Sequence, residues 1–150
     1  MPKLAQKEIT TTTKIVTSED GTETFSITRS IPKMEGEHAV FILLYPTRNA
    51  ENCFIDDSTN THLMNHMEEL GLNSYTIVNL FATVTQSRLS LKGLQINEEN
   101  LIFIKEQIFL KMQKDKKKVV IAWGNSHLNS PVGISSAVSR NTPKQELCFL

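Results

Sequence analysis

The sequence predicts an α/β fold: a single three-layer domain with a mainly parallel central sheet and an N-terminal antiparallel β-hairpin. Alternating β-branched residues from Ile9 to Ile31 are typical of two paired strands. The runs Ala39–Tyr45 and Tyr75–Leu80 are apolar without alternation, as strands covered on both faces must be. Helical patterns separate these runs from each other and from a third, Val119–Trp123.

The hairpin comes first. Strands are expected at about Glu8–Thr17 and Thr22–Ser30, because Glu19–Gly21 between them supplies the residues of a tight turn. The length of 150 residues suits one domain over residues 1–150, with residues 1–7 expected to be flexible. We expect the hairpin to extend the central sheet.

The first helix follows the Ala39–Tyr45 strand. Asp57 or Ser58 can cap it, and three apolar residues recur at helical spacing before Gly71 ends it. These residues are Leu63, Met67 and Leu70.

Asn97 is a suitable N-cap for a second helix, and Glu98 and Glu99 suit its dipole. The apolar stripe of that helix is formed by Leu101, Ile104, Ile108 and Met112. Right-handed crossovers would make the three central strands parallel. Beyond them we expect a short helix around Ile134–Ser139 and a final strand at Leu147–Leu150.

Composition excludes several classes of protein. Sixteen basic and 16 acidic residues give zero net charge, so no global field attracts DNA or an acidic membrane. Two cysteines, Cys53 and Cys148, lack metal or redox spacing. No apolar stretch approaches the roughly 20 residues of a membrane span. We expect a cytoplasmic protein without a metal or cofactor. The sequence does not decide whether it forms a homo-oligomer.

Three strand ends share one edge of the predicted sheet: Tyr45–Asn49, Asn79–Phe81 and Trp123–Asn125. Ligands of parallel sheets bind at that edge. An amide there can bind a base edge, and an aromatic ring can stack on one. Equally, Asn79 could tie down its loop and the aromatic rings could simply pack. The ligand-binding candidates are Pro46, Arg48, Asn49, Asn79, Phe81, Trp123, Gly124 and Asn125.

Three residues are candidates for proton chemistry. Asp56 and Asp57 could activate a water or hold magnesium, although capping the helix is the simpler role for one of them. His127 follows the third strand end and suits proton transfer near neutral pH. Arg48 could pair with a phosphate or be a solvated surface residue.

The order of motifs resembles domain of unknown function 1643 (DUF1643), a family of bacteria and phages, over about Phe25 to Asn125. The segments that carry the resemblance are Leu44–Thr47, Asp56–Thr59, Gly71, Val78–Ala82, Glu99–Asn100 and Ile121–Asn125. The resemblance implies a fold and a site, and adds Asn100 to the ligand-binding candidates. It implies no substrate.

Two segments differ from the family pattern. Tyr45–Thr47 replaces asparagine, proline and serine, and Gln145 stands where the family tends to have a histidine. A weaker, fold-level similarity is to the uracil-DNA glycosylase superfamily. In that analogy Asn79 would read a base, Phe81 would stack on it and Asp56 would activate water.

These observations support two main hypotheses. One is a domain that recognises a nucleobase, nucleotide or nucleic acid, with or without glycosylase-like hydrolysis. The other is a non-catalytic interaction protein, such as a phage or mobile-element accessory factor. A metal-dependent phosphoesterase using Asp56 and Asp57 ranks third, because no further ligand is evident.

Overall fold

The computed structural model describes residues 3–52, 55–85, 96–107, 118–122 and 148–149. Six strands, two α-helices and one short 3₁₀ helix lie within them. In chain order they are β1 (Thr12–Thr17), β2 (Thr24–Ser30), β3 (Glu37–Leu43), the 3₁₀ helix (Ala50–Asn52), α1 (Ser58–His66), β4 (Leu72–Asn79), α2 (Glu98–Lys105), β5 (Lys118–Ile121) and β6 (Cys148–Phe149).

All six strands form one mixed sheet in the order β1-β2-β4-β3-β5-β6. The hairpin strands β1 and β2 are antiparallel, and β2 joins β4 in antiparallel pairing. Strand β3 lies between β4 and β5 and is parallel to both, and β6 is parallel to β5. The predicted fold class is therefore confirmed, including the hairpin as an extension of the sheet.

The hairpin turn is also confirmed, but β1 is shorter than predicted. Gly21 has a positive φ of 71°, and the Asp20 carboxylate accepts a hydrogen bond from the Thr22 amide. Strand β1 begins at Thr12 and not at Glu8, because Thr12 pairs with Ser30, the last residue of β2. Residues before Thr12 extend beyond the end of the partner strand.

Each face of the sheet carries one helix and one hydrophobic cluster. On the α1 face, Leu63 and Met67 pack on Phe41, Tyr75 and other residues of β3 and β4. The α2 face is formed by Ile104, Val40, Ile42, Val78, Leu80, Phe81, Val119 and Ile121. Helix, sheet and helix make the three predicted layers, and period-two alternation in β3 supplies both clusters.

Helix α1 ends earlier than the apolar pattern suggested. Its last residue is His66, and the chain continues as a turn that Gly71 closes with a φ of 67°. The Leu72 amide donates to the carbonyl of Met67, which caps the turn. Leu70 is consequently exposed and does not extend the buried stripe.

The predicted cap of α2 is confirmed. The side-chain oxygen of Asn97 accepts a hydrogen bond from the Glu99 amide at 2.9 Å. Its Nδ2 donates to the two Glu23 carboxylate oxygens at 3.0 and 3.2 Å, which connects the helix to the start of β2. Ile104 is buried as expected, whereas Ile108 and Met112 lie outside the described residues.

The final strand is confirmed by β6, within the predicted Leu147–Leu150. The helix expected at Ile134–Ser139 lies outside the described residues, as does Trp123 at the predicted end of β5. Within the described ranges, no helix has the length and apolar character needed to cross a membrane.

A row of polar side chains crosses three strands on the α2 face. The hydroxyl groups of Thr28 and Thr76 lie 2.9 Å apart, and Thr76 Oγ1 lies 3.1 Å from Nε2 of His38. Nδ1 of the same ring lies 2.8 Å from Ser74 Oγ, which donates to Asn73 Oδ1. Because Ser74 already donates, a neutral His38 ring donates from Nδ1 and accepts at Nε2.

We predict that Gly36→Ala destabilises the protein by about 2–4 kcal/mol, because the added methyl group would overlap the backbone of β4. A Cβ at Gly36 would lie 2.6 Å from the Asn73 nitrogen and 2.6 Å from the Leu72 carbonyl carbon. Gly21→Ala is the control, since its positive φ is strained but no atom lies within 4 Å of the added carbon. It should cost about 1 kcal/mol in urea unfolding. Equal losses in both variants would contradict the steric explanation.

Candidate functional site

The candidate site lies where the parallel strands end together. Leu43 at the end of β3 pairs with Asn79 at the end of β4. The two chains then continue side by side, because Leu80 and Phe81 donate to the carbonyls of Leu43 and Leu44. The Ala122 amide donates to the Ile42 carbonyl, so β5 ends at the same edge. The structure therefore brings the ends of β3, β4 and β5 together, whereas the predicted site segment Trp123–Asn125 lies outside the described residues.

Two buried asparagines lie at this edge. Asn79 is 1% exposed, and its Oδ1 has no hydrogen-bond partner among the described residues. Asn100 of α2 is 0% exposed, and its Nδ2 donates to the carbonyls of Asn79 and Leu80 at 2.8 and 3.0 Å. Its Oδ1 also has no partner in the described part of the chain. Asn100 thus fixes the backbone at the end of β4, and neither buried amide oxygen accepts a hydrogen bond from a described residue.

The loop after β3 contains two further candidates. Asn49 Oδ1 accepts hydrogen bonds from the amides of Glu51 and Asn52, so this side chain organises the 3₁₀ helix. The carbonyl of Arg48 accepts a 2.7 Å hydrogen bond from the hydroxyl of buried Thr24. Arg48 Nε is buried, and no described residue bonds to it. The loop backbone is held in place, and the guanidinium keeps a donor that the described part of the chain does not use.

Asp57 is the N-cap of α1 and contacts the same loop. Its carboxylate accepts hydrogen bonds from the Asn60 amide at 2.8 Å, from Asn60 Nδ2 at 3.1 Å and from Thr47 Oγ1 at 2.6 Å. Burial by itself raises the pKa of Asp57, but these hydrogen bonds and the charge of Arg48 outweigh it and lower the pKa overall. Asp57 is therefore held as an anion.

Asp56 forms an ion pair with Arg29 of β2, with both carboxylate oxygens facing the guanidinium. Arg29 is 8% exposed and lies opposite Tyr75 of β4. The Tyr75 hydroxyl donates to Asn60 Oδ1 at 3.1 Å, and burial is the main reason that the pKa of Tyr75 is raised. A polar network therefore joins the start of α1 to β2 and β4.

Phe81 and Pro46 are both buried. Phe81 belongs to the hydrophobic cluster beneath α2, and the Pro46 carbonyl accepts a hydrogen bond from Thr85. Their placement agrees with the packing alternative. Trp123, Gly124, Asn125 and His127 lie outside the described residues, so their roles stay predictions.

Sequence reasoning missed four residues of this region: Arg29, Thr47, Asn60 and Tyr75. Arg29 could have been found, because it is two residues after Ile27 and so points to the same covered face. An arginine at an inward position needs an acidic partner. Asn60 and Thr47 gave no such signal, since both are common on helix and loop surfaces.

We predict that Asp57→Asn makes the protein less stable near neutral pH and that the difference from wild type shrinks in acid. Asparagine is also a good N-cap, so this change removes mainly the charge. A carboxylate whose folded pKa is lowered stabilises the fold above its unfolded pKa of about 4 and loses that effect as the pH falls further. Urea unfolding at about pH 7 and about pH 3 measures the difference.

Glu51→Gln is the matched control, because Glu51 is an exposed carboxylate six residues before Asp57. It should change the free energy of unfolding by less than about 0.5 kcal/mol at either pH. A pH-independent loss in Asp57→Asn would contradict the stabilising role of the charge.

The sequence pattern of the family described as protein of unknown function (DUF1643) matches residues 25–148. The match begins in β2 and extends to β6, so it includes both helices and all the candidate site residues. No curated protein matches this sequence significantly. The chain belongs to the DUF1643 family.

Proposed function

We propose that this protein recognises a nucleobase or nucleotide at the C-terminal ends of β3 and β4, with Asn79 as the side chain that reads the base. The observation that supports this most directly is the amide oxygen of Asn79, which is buried and has no partner among the described residues. Leaving a buried acceptor unpaired costs about 1–3 kcal/mol. A ligand that donates a hydrogen bond would recover that cost.

The neighbouring residues make Asn79 suitable for recognition. Asn100 uses both hydrogens of its side-chain amide group, because Nδ2 donates to the backbone carbonyls of Asn79 and Leu80. The end of β4 is thereby fixed before a ligand arrives, and a pre-organised acceptor discriminates well between ligands. Amino and imino groups on a base edge are donors of the required kind.

Arg48 favours a nucleotide over a free base. Its Nε is a buried donor that no described residue uses, and the adjacent carbonyl is anchored by Thr24. A guanidinium is well suited to bind a phosphate through more than one donor. The carboxylate of Asp57 is close enough for the charge of Arg48 to contribute to lowering its pKa, so the two opposite charges offset each other in part.

The two carboxylates favour binding without catalysis. Asp56 is engaged by Arg29, and Asp57 is engaged by Asn60 and Thr47. A general base must be free to take a proton. We therefore favour recognition over glycosylase-like hydrolysis, and roles for Asp56, Asp57 or His127 in proton transfer stay predictions. Because both carboxylates are already bound within the protein, they also support the second candidate function, a non-catalytic interaction protein.

We predict that Asn79→Leu abolishes ligand binding without loss of stability. Leucine has a similar volume and removes the unpaired oxygen, so the free energy of unfolding should stay the same or rise by about 1 kcal/mol. Thermal-shift measurements with nucleobases, nucleosides and nucleotides should show stabilisation of the wild type by one of these classes. The variant should show no such shift.

Asn73→Ala is the matched control, because Asn73 lies at the opposite end of the same strand and should leave the ligand shift intact. Arg48→Gln should reduce the shift by nucleotides more than the shift by nucleosides. The proposal fails if no class stabilises the wild type. It also fails if Asn79→Leu keeps the full ligand shift, or if it unfolds the protein as a structural asparagine would.

A further inference from the structure

The hairpin leaves an open sheet edge with an exposed extension. Strand β1 is the first in the sheet order, and no described strand pairs with its outer side. Residues 3–11 precede it without regular structure and are exposed throughout. Leu4 is 97% exposed and Ile9 is 62% exposed. An open edge of this kind presents unpaired amides and carbonyls that another strand can bind.

An apolar row ends at this edge. Ile15 of β1 pairs with Ile27, Ile27 pairs with Ile77, and the row continues to Phe41 and Val120. All five side chains therefore lie side by side on the α1 face. Ile15 is the only member with no neighbour on its outer side in the described sheet. A matching strand would place an apolar residue there.

The chain itself carries that residue. Ile9 is six positions before Ile15, so in a continued strand it points to the same face. We propose that a second copy of this chain pairs with β1 in antiparallel fashion about Thr12, joining two sheets into one. In this register Ile9 of each copy lies opposite Ile15 of the other. The same contact then extends the apolar row of each copy at its Ile15 end.

Charges support the same register. Pairing about Thr12 places Lys14 opposite Thr10 of the second copy, with Glu8 of that copy two residues further along the same face. Diagonal neighbours of this kind are about 7–8 Å apart at their Cα atoms, within reach of long side chains. Because the arrangement is two-fold, one pairing creates two Lys14 to Glu8 contacts.

The two-fold symmetry favours a second copy over an unrelated strand. The segment carries both members of the apolar pair, Ile9 and Ile15, and both members of the charged pair, Glu8 and Lys14. An identical segment that runs antiparallel to it supplies the matching member of each pair. The contact uses mainly one strand from each copy and is smaller than a standard stable interface. We therefore expect a reversible dimer, populated at about 100 µM protein and largely dissociated at about 1 µM.

Sedimentation of the full chain tests this proposal, which is independent of the ligand site. The wild type should shift from the mass of a 16.9 kDa monomer towards twice that mass as concentration rises. Ile9→Glu should weaken the dimer by about tenfold, because it loses two symmetric apolar pairs. Leu4→Glu is the control and should leave it unchanged, since Leu4 lies beyond the paired residues. Glu8→Lys should also weaken it, and Lys14→Glu in the same chain should restore it.

Oxidative cross-linking tests the register. Thr12→Cys should form a covalent dimer readily, because the two Thr12 residues face each other. Lys14→Cys should not, since its two copies would be about 13 Å apart along the strands. A wild-type monomer at about 100 µM would overturn the proposal, as would a dimer that Ile9→Glu leaves intact. Stronger cross-linking by Lys14→Cys would overturn the register.

Discussion

The burial of Arg29 is the constraint on which the α1 side of the molecule depends. A guanidinium that is only 8% exposed on the covered face of a sheet is very costly without an acidic partner. Asp56 supplies that partner. The ion pair also holds the next residue in the chain, Asp57, in position. Asp57 can then cap α1, and Asn60 on the first turn of the helix receives the hydroxyl of Tyr75. One buried charge therefore determines where the helix begins and how it lies over β2 and β4.

The asparagines at the strand ends differ from the network around Arg29 in how their polar atoms are paired. Around Arg29, the carboxylates of Asp56 and Asp57 and the hydroxyl of Tyr75 are hydrogen-bonded within the protein, as expected of groups that stabilise a fold. Asn79 and Asn100 are as deeply buried, yet each keeps an amide oxygen with no partner in the described part of the chain. Natural proteins tend to retain such costs where a binding partner removes them. That contrast separates the carboxylates, which are engaged within the fold, from the two amide oxygens, on which the proposed recognition of a ligand rests.

Sequence reasoning predicted the fold well because the strong signals are local. Unbroken apolar runs defined β3 and β4, the turn at Gly21 defined the hairpin, and Asn97 defined the start of α2. The site was harder to predict because its chemistry depends on residues far apart in the chain. Asp56 could be identified as an acidic candidate, but its pairing with Arg29, 27 positions earlier, becomes visible only when β2 lies beside β4. The early end of α1 was missed for a different, local reason, since the exposure of Leu70 follows from the turn at Gly71 and not from the spacing of apolar residues.

The polar row of Thr28, Thr76, His38 and Ser74 bears on how β3 and β4 find their alignment. Both strands are apolar on both faces over Ala39–Ile42 and Tyr75–Val78, apart from Thr76, so hydrophobic burial alone discriminates poorly between neighbouring registers. A slip of one residue would turn Ser74 and Thr76 to the opposite face and replace them beside the His38 ring by Tyr75 and Ile77 or, in the other direction, by Asn73 and Tyr75. Both ring nitrogens would then lose their partners. The histidine thus selects one strand alignment over its neighbours, and with it the meeting of Leu43 and Asn79 at the far end of the same two strands.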